Sequence, residues 1–288
     1  MKTMKTTLLP AAVHHGARRI PAGLVIAAAL LLQHSATATE VDLGTANNFA
    51  VLAGSAITSA STTTVNGGNV GLSPGTSITG PISINPGYTT HVADGVALQA
   101  QSDLTTAYNQ AAGFAPTATL TGQDLGGMTL TPGVYFFSSS AQLTGMLTLD
   151  GAGLTDPVFV FQIGSTLTTA SGSSVVTIND AGGSTPDISV FWQIGSSATL
   201  GTTTAFEGNI LADQSITLNT GATVLDGRLL ARNGAVTLDG NNIMAPPAEV
   251  TGAGGGVNVP DAGNTLRLLG LGMFSLLAAG PVFRARHQ

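Results

Sequence analysis

The stretch ITLNTGATVLDGRLLARNGAVTLDGNNI, residues 216–243, makes two passes over one pattern. Each pass places Thr-Leu after an aliphatic residue, follows it with a small polar run containing Gly, and returns to an aliphatic residue. In SITLNTGATVLDG, Ile216, Leu218 and Val224 point one way, with Thr and Asn between them, which is the alternation of a half-buried strand. Thr-Leu recurs at 129–130, 148–149, 166–167, 199–200, 217–218 and 237–238, at spacings of 19, 18, 33, 18 and 20 residues. The long interval contains NDAGGSTPD, residues 179–187, between the similar apolar runs VFVFQIGS at 158 and VFWQIGS at 190. Such a period predicts the coils of a β-solenoid, with short strands turning at Gly, Asn and Asp. An immunoglobulin-like sandwich also has short strands but supplies no reason for a repeating Thr-Leu register. The aromatic residues Tyr135, Phe136, Phe137, Phe159, Phe161, Phe191 and Trp192 fall inside apolar runs and are expected in the core.

One segment departs from the period. In HVADGVALQAQSDLTTAYNQAAG, residues 91–113, Val92, Val96, Ala100, Leu104 and Tyr108 form an i, i+4 series, broadened by Ala97, Ala107 and Ala111. This predicts a helix over about 92–112, stopped by Gly113 and lying along one side of the coils. His91 is read as a terminal polar residue at its start.

The two ends have a different character. Lys2, Lys5, Arg18 and Arg19 precede an apolar run from Ala22 to Leu32, and Ala36-Thr37-Ala38 suits a signal peptidase, so residues 1–38 are expected to be a secretory signal. The domain follows over 39–245. Residues 246–258, with Pro246-Pro247 and a Gly run, read as a linker. Val259, Pro260, Asp261, Ala262 and Gly263 open a second apolar segment with a basic tip, RARHQ. Residues 259–288 are therefore expected to be a sorting signal that also anchors the chain in the membrane before processing. This end resembles the VPDSG- and PEP-type C-terminal sorting signals, with Ala262 where Ser is usual. The resemblance implies a bacterial sorting protease as a partner and a secreted or cell-surface location.

Without its ends, the chain keeps only Arg228 and Arg232 as cations against fourteen carboxylates, a net charge of −12 over residues 39–258. Nucleic acid is an unsuitable partner for such a surface, and the excess charge favours a soluble monomer. There is no cysteine, so packing alone must hold the domain together. His91 is the single imidazole left for any serine-type triad. Arg228 and Arg232 are the only basic groups available to a lyase and are expected to pair with Asp226 or Asp239. No carboxylate pair sits in a glycosidase motif, and DLGG and DGAG lack the regular spacing of a calcium loop. The sequence calls for no cofactor, no metal and no enzyme.

DLTTAYNQAAG, DLGGMTLTPGVYFFSSSAQLTGMLTLDG, VFVFQIGSTLTTASGSSV, VFWQIGSSATLGT and GRLLARNGAVTLDGNNI together resemble the DUF3494 ice-binding protein family, over about residues 41–243. The resemblance implies a mainly β fold, a discontinuous right-handed β-helix with one long α-helix packed alongside, and ice as the ligand of one flat face. Adjacent strands lie about 4.7–4.9 Å apart, close to a repeat of ice, and the β-branch of Thr stiffens its side chain. A neutral ladder of hydroxyls and methyls can thus match a lattice that offers neither charge nor pocket. The resemblance also implies a motif, since active relatives often carry Thr-(Ala/Gly)-x-(Thr/Asn) on coils of the binding face. Here TGAT at 220–223 fits, which selects Thr220, Gly221 and Thr223, and TANN at 45–48 also fits. Thr202, Thr203 and Thr204, then Thr169 and Ser171, offer hydroxyls on preceding coils, and Asn241 joins the candidate set. Two alternatives stay open: an adhesin or matrix protein of the same fold that binds polysaccharide or another cell, and a polysaccharide-active enzyme.

Overall fold

The structure, a computed structural model, describes residues 40–179 and 188–246. The expected leader, the expected sorting segment and the linker beyond Pro246 lie outside the described residues. The domain is a parallel β-solenoid of three sheets, with nine, seven and eight strands. One coil gives one strand to each sheet. Asn209–Ala212, Ile216–Leu218 and Thr223–Leu225 form one coil; Leu229–Ala231, Val236–Leu238 and Asn242–Met244 form the next. Equivalent residues pair directly: Ile210 with Leu229, Thr217 with Thr237, and Val224 with Ile243. The expected alternation holds, since Ile216, Leu218 and Val224 are all buried.

Spatial order is not chain order. The first coil, Phe49–Ala53, Ala56–Ser59 and Thr63–Asn66, packs on the last one. Val51 pairs with Leu229, Ile57 with Val236, and Thr64 with Asn242. A second coil, Asn69–Leu72, Ser77–Thr79 and Ile82–Ile84, extends the stack outward, and Thr90–Val92 adds one strand at that end. The chain then enters the helix α1, Gly95–Gly113, and emerges at Ala118–Thr119 on the opposite end of the nine-stranded sheet. Nineteen residues at 1.5 Å each carry the chain about 28 Å, roughly six strand spacings of about 4.8 Å. The remaining coils climb back until residue 237 meets residue 58. This meeting is a seam between segments remote in sequence.

Two cores result. Inside the coils, Tyr135, Phe161 and Trp192 occupy one register position on successive strands. The rings of Phe161 and Trp192 stack at 3.9 Å with an interplanar angle of 8°, and Phe206 follows at 4.9 Å from Trp192. The Trp192 indole N–H donates to the Glu207 carbonyl at 3.0 Å, so its polar edge is satisfied. Outside the nine-stranded sheet, Ala100, Leu104, Ala107 and Ala111 of α1 cover Val160, Phe191, Leu211 and Leu230. With both faces covered, strand Val158–Ile163 is buried at every position, which is why it reads as an unbroken apolar run.

The helix starts later than the periodicity predicts. Asp94 caps it, accepting from the Ala97 N–H at 2.8 Å. Val92 belongs instead to the preceding strand, and Val96 is 49% exposed. His91 also lies in that strand, 2.8 Å from Asp94 through Nδ1.

The arginines differ from expectation too. Strand Leu229–Ala231 separates them, so they stand at opposite ends of it. Arg232 pairs with Asp213 at 2.7 Å and lies 4.4 Å over the Tyr108 ring, fastening the helix to the coils. Arg228 is buried and pairs with no carboxylate among the described residues. It donates to the Asn47 carbonyl, the Asn209 side-chain oxygen and the Pro246 carbonyl, joining both sides of the seam. A planar fork of donors suits three acceptors from separate segments. Burial lowers its pKa to about 10, which still leaves it charged at neutral pH.

Candidate functional site

The seven-stranded sheet presents the most regular exterior. Its strands are three or four residues long, and six of the seven carry an outward threonine next to an inward aliphatic residue. Thr168 pairs with Thr199, Thr199 with Thr217, Thr217 with Thr237, Thr237 with Thr58, and Thr58 with Thr79. Six consecutive rungs therefore carry threonine at one position, separated by about 4.7–4.9 Å. None of these six hydroxyls is engaged by a hydrogen bond to another described residue. A second outward column lies two residues earlier on each strand: Ser140, Thr166, Ser197, Ser215, Ala235, Ala56 and Ser77. Its hydroxyls are partly tied to the backbone, since Ser197 and Ser215 accept from the N–H groups of Ser215 and Ala235. Neither column contains a charge.

The other two exteriors differ. Helix α1 covers the nine-stranded sheet. The eight-stranded sheet exposes Met146 at 53%, Leu225 at 40% and Met244 at 43%, and Glu207 stands among its outward residues. Burial and the nearby Asp226 charge raise the Glu207 carboxyl, against a hydrogen bond from Thr177. Bulky side chains of several lengths and a carboxylate leave that surface uneven.

The residues singled out from the sequence gather at the corner where the threonine sheet turns into the eight-stranded sheet. Backbone pairing aligns Ser171, Thr202, Thr220 and Asp239 there: the N–H groups of Gly172, Thr203 and Gly221 donate to the carbonyls of Thr202, Thr220 and Asp239. Each following residue is left-handed, with φ of 71°, 55° and 68° at Gly172, Thr203 and Gly221. Gly221 therefore serves the turn, where a side chain is strained. Ser171, Thr202 and Thr220 are exposed, and the Thr220 hydroxyl donates to Asp239 at 2.5 Å. Hydrogen bonds from Thr220 and Ser61 hold the Asp239 carboxyl below its ordinary value.

Three candidates are corrected by burial. Thr169, Thr204 and Asn241 are 3%, 0% and 2% exposed and cannot face a ligand. Thr169 and Thr204 bond to each other at 2.8 Å. The Asn241 amide donates to the carbonyls of Asn219 and Ala222, both at 2.9 Å, and its oxygen accepts from the Asp239 N–H. They satisfy the backbone where the chain turns. Thr223 lies on the eight-stranded sheet, between Ala205 and Asn242. TANN at 45–48 is a 3-10 turn before the first strand, where the Thr45 hydroxyl donates to Asp103 of the helix at 2.6 Å.

The threonine column lies outside the Thr-(Ala/Gly)-x-(Thr/Asn) motif, although half of it belongs to the repeating Thr-Leu pairs. Thr199, Thr217 and Thr237 belong to the column, whereas Thr129 and Thr148 pair on the eight-stranded sheet and Thr166 stands one column across. The informative signal is a threonine between two inward residues, as in Ile216-Thr217-Leu218.

Fold and exterior together define a discontinuous parallel β-solenoid, helix-covered on one sheet and threonine-lined on another. The family model described as ice-binding-like matches residues 51–244. A protein of Nostoc sp. (strain HG1), named ice-binding protein, is 52% identical over 271 residues, covering 92% of this chain and 95% of its own. One of Colwellia sp., with the same name, is 38% identical, covering 72% of this chain and 84% of its own. Among solved structures, an ice binding protein from an Antarctic biological consortium is 45% identical with a TM-score of 0.67, covering 73% of this chain and 92% of that one. An ice-binding protein of the ascomycete Antarctomyces psychrotrophicus is 39% identical with a TM-score of 0.65, covering 72% and 99%. The chain belongs to the ice-binding-like family.

Proposed function

We propose that this protein adsorbs to ice through the threonine sheet, with Ser171, Thr202 and Thr220 along its rim. The observation that carries the reading is the run of six unengaged threonine hydroxyls in one register column, beside a second column that is likewise uncharged. Each hydroxyl can bond water while its methyl packs against it. Because the β-branch and the sheet already fix every side chain, little conformational freedom is lost on contact. Many weak contacts then act together, as expected for a ligand that is a lattice and not a molecule. The relatives' name, ice-binding protein, supports the same choice over polysaccharide adhesion and over catalysis.

The reading includes export and retention at the cell surface, with residues 1–38 as leader and 259–288 as the segment cut or transferred by a sorting protease. The test is uptake of fluorescently labelled protein into a slowly growing ice hemisphere. Incorporation above that of an inert labelled protein is expected. Exclusion into the liquid, under conditions where a known ice binder enters, would pass the lead to adhesion.

A further inference from the structure

The threonine column stops abruptly at one end. Beyond Thr168, the next rung places Gln142 at the same position, and its main chain pairs there as the others do. The strand itself is as well seated as its neighbours, because Ala141 and Leu143 are both fully buried. The adjacent column continues undisturbed into this coil, where the Thr166 hydroxyl donates to Ser140 at 2.9 Å. Only the side chain at 142 departs from the pattern.

One rung further, Asp124 bridges to Gln142, and its carboxylate accepts from the N–H groups of Gly126 and Thr144 at 2.7 and 2.8 Å. An exposed carboxylate closes the column there. Gln142 thus separates the threonine ladder from that carboxylate. Its exposed side chain is longer than threonine, unbranched at Cβ and free to rotate, so it must lose entropy to lie against any plane.

We infer that Gln142 fixes the length of the adsorbing wall, ending it at Thr168 although the sheet beneath continues for another rung. The inference rests on the proposed adsorption to ice through this sheet. It assigns to one residue the limit on how many rungs engage.

Gln142→Thr extends the ladder from six rungs to seven on an unchanged backbone. Ice uptake of the purified protein is expected to rise roughly two- to tenfold, the equivalent of one net hydrogen bond. Gln142→Ala, which shortens the side chain without adding a hydroxyl or a β-branch, should stay within about twofold of the parent on the same scale. Equal melting temperatures for the three proteins show that the comparison concerns the surface. An uptake of Gln142→Thr no greater than the parent's overturns the inference. So does an equal rise in Gln142→Ala, which makes Gln142 an obstruction and not a missing rung. Thr217→Tyr, measured alongside, separates the two levels: if it leaves uptake intact, the sheet is not the adsorbing surface. If it abolishes uptake while Gln142→Thr gains nothing, only the limit assigned to Gln142 fails.

Discussion

Thr217→Tyr tests the functional reading most directly. Thr217 sits inside the column, with Thr199 on one side and Thr237 on the other. From bond lengths, a tyrosine at this position carries its hydroxyl oxygen about 4 Å further out than the threonine oxygen. That exceeds the diameter of a water, about 2.8 Å, so a rigid plane resting on the ring clears the rungs on both sides. At least the three contacts at Thr199, Thr217 and Thr237 are then lost. At about 0.5–1.5 kcal/mol for each net hydrogen bond, adsorption weakens by about 1.5–4.5 kcal/mol, roughly ten- to thousandfold. The fold should not suffer, because the position faces outward and tyrosine suits strands; stability is expected to change by less than about 0.5 kcal/mol. The assay is partition into an ice hemisphere, with Thr64→Tyr, an exposed position on the eight-stranded sheet, as the matched control. Uptake of Thr217→Tyr equal to that of Thr64→Tyr, with both proteins folded, would refute the reasoning.

Three further outcomes are expected. Trp192→Ala removes the middle of the aromatic stack from a fully buried site and should cost about 3–5 kcal/mol in denaturant unfolding; a loss under 1 kcal/mol would mean the stack contributes little. Glu207, its pKa raised mainly by burial, binds its proton more tightly in the folded state. It therefore contributes stability at low pH that is lost as pH climbs from the ordinary glutamate value of 4.5 through the raised folded value. The urea midpoint of Glu207→Gln should fall less over that window than the parent's, and parallel curves would contradict the assignment. Deleting residues 259–288 should move the protein from the cell envelope into the medium on immunoblots of fractionated cultures; continued cell attachment would count against an anchor in that segment.

The architecture was legible because the coil imposes its period on the sequence. Inward aliphatic residues must recur where each strand recurs, and Gly, Asn or Asp must recur where it turns. The helix was legible from its alanine stripe, although the cap at Asp94 overrode the apolar series that began at Val92. The position of the first coil between the second and the last is not written in any local pattern, since Thr58 and Thr237 are neighbours only after the helix has returned the chain. Site residues were harder. Thr204 and Asn241 look like surface residues in sequence, yet a corner that turns the backbone inward needs side chains to bond its carbonyls. Hydroxyl content identifies both uses of threonine equally well. Only its place between two inward residues separates the exposed column from the buried corner.

The helix also acts as a gauge for the stack. Since it must return the chain from one end to the other, the number of coils and the number of helical residues are coupled. Inserting one more coil lengthens the solenoid by about 4.8 Å and demands about three more helical residues at 1.5 Å each, nearly a full turn. A shorter connector would pull residue 58 out of step with residue 237. Enlarging this protein by duplicating a repeat therefore requires a matched insertion more than a hundred residues away from residues 216–243, in a helix that lies on a different sheet from the threonine column.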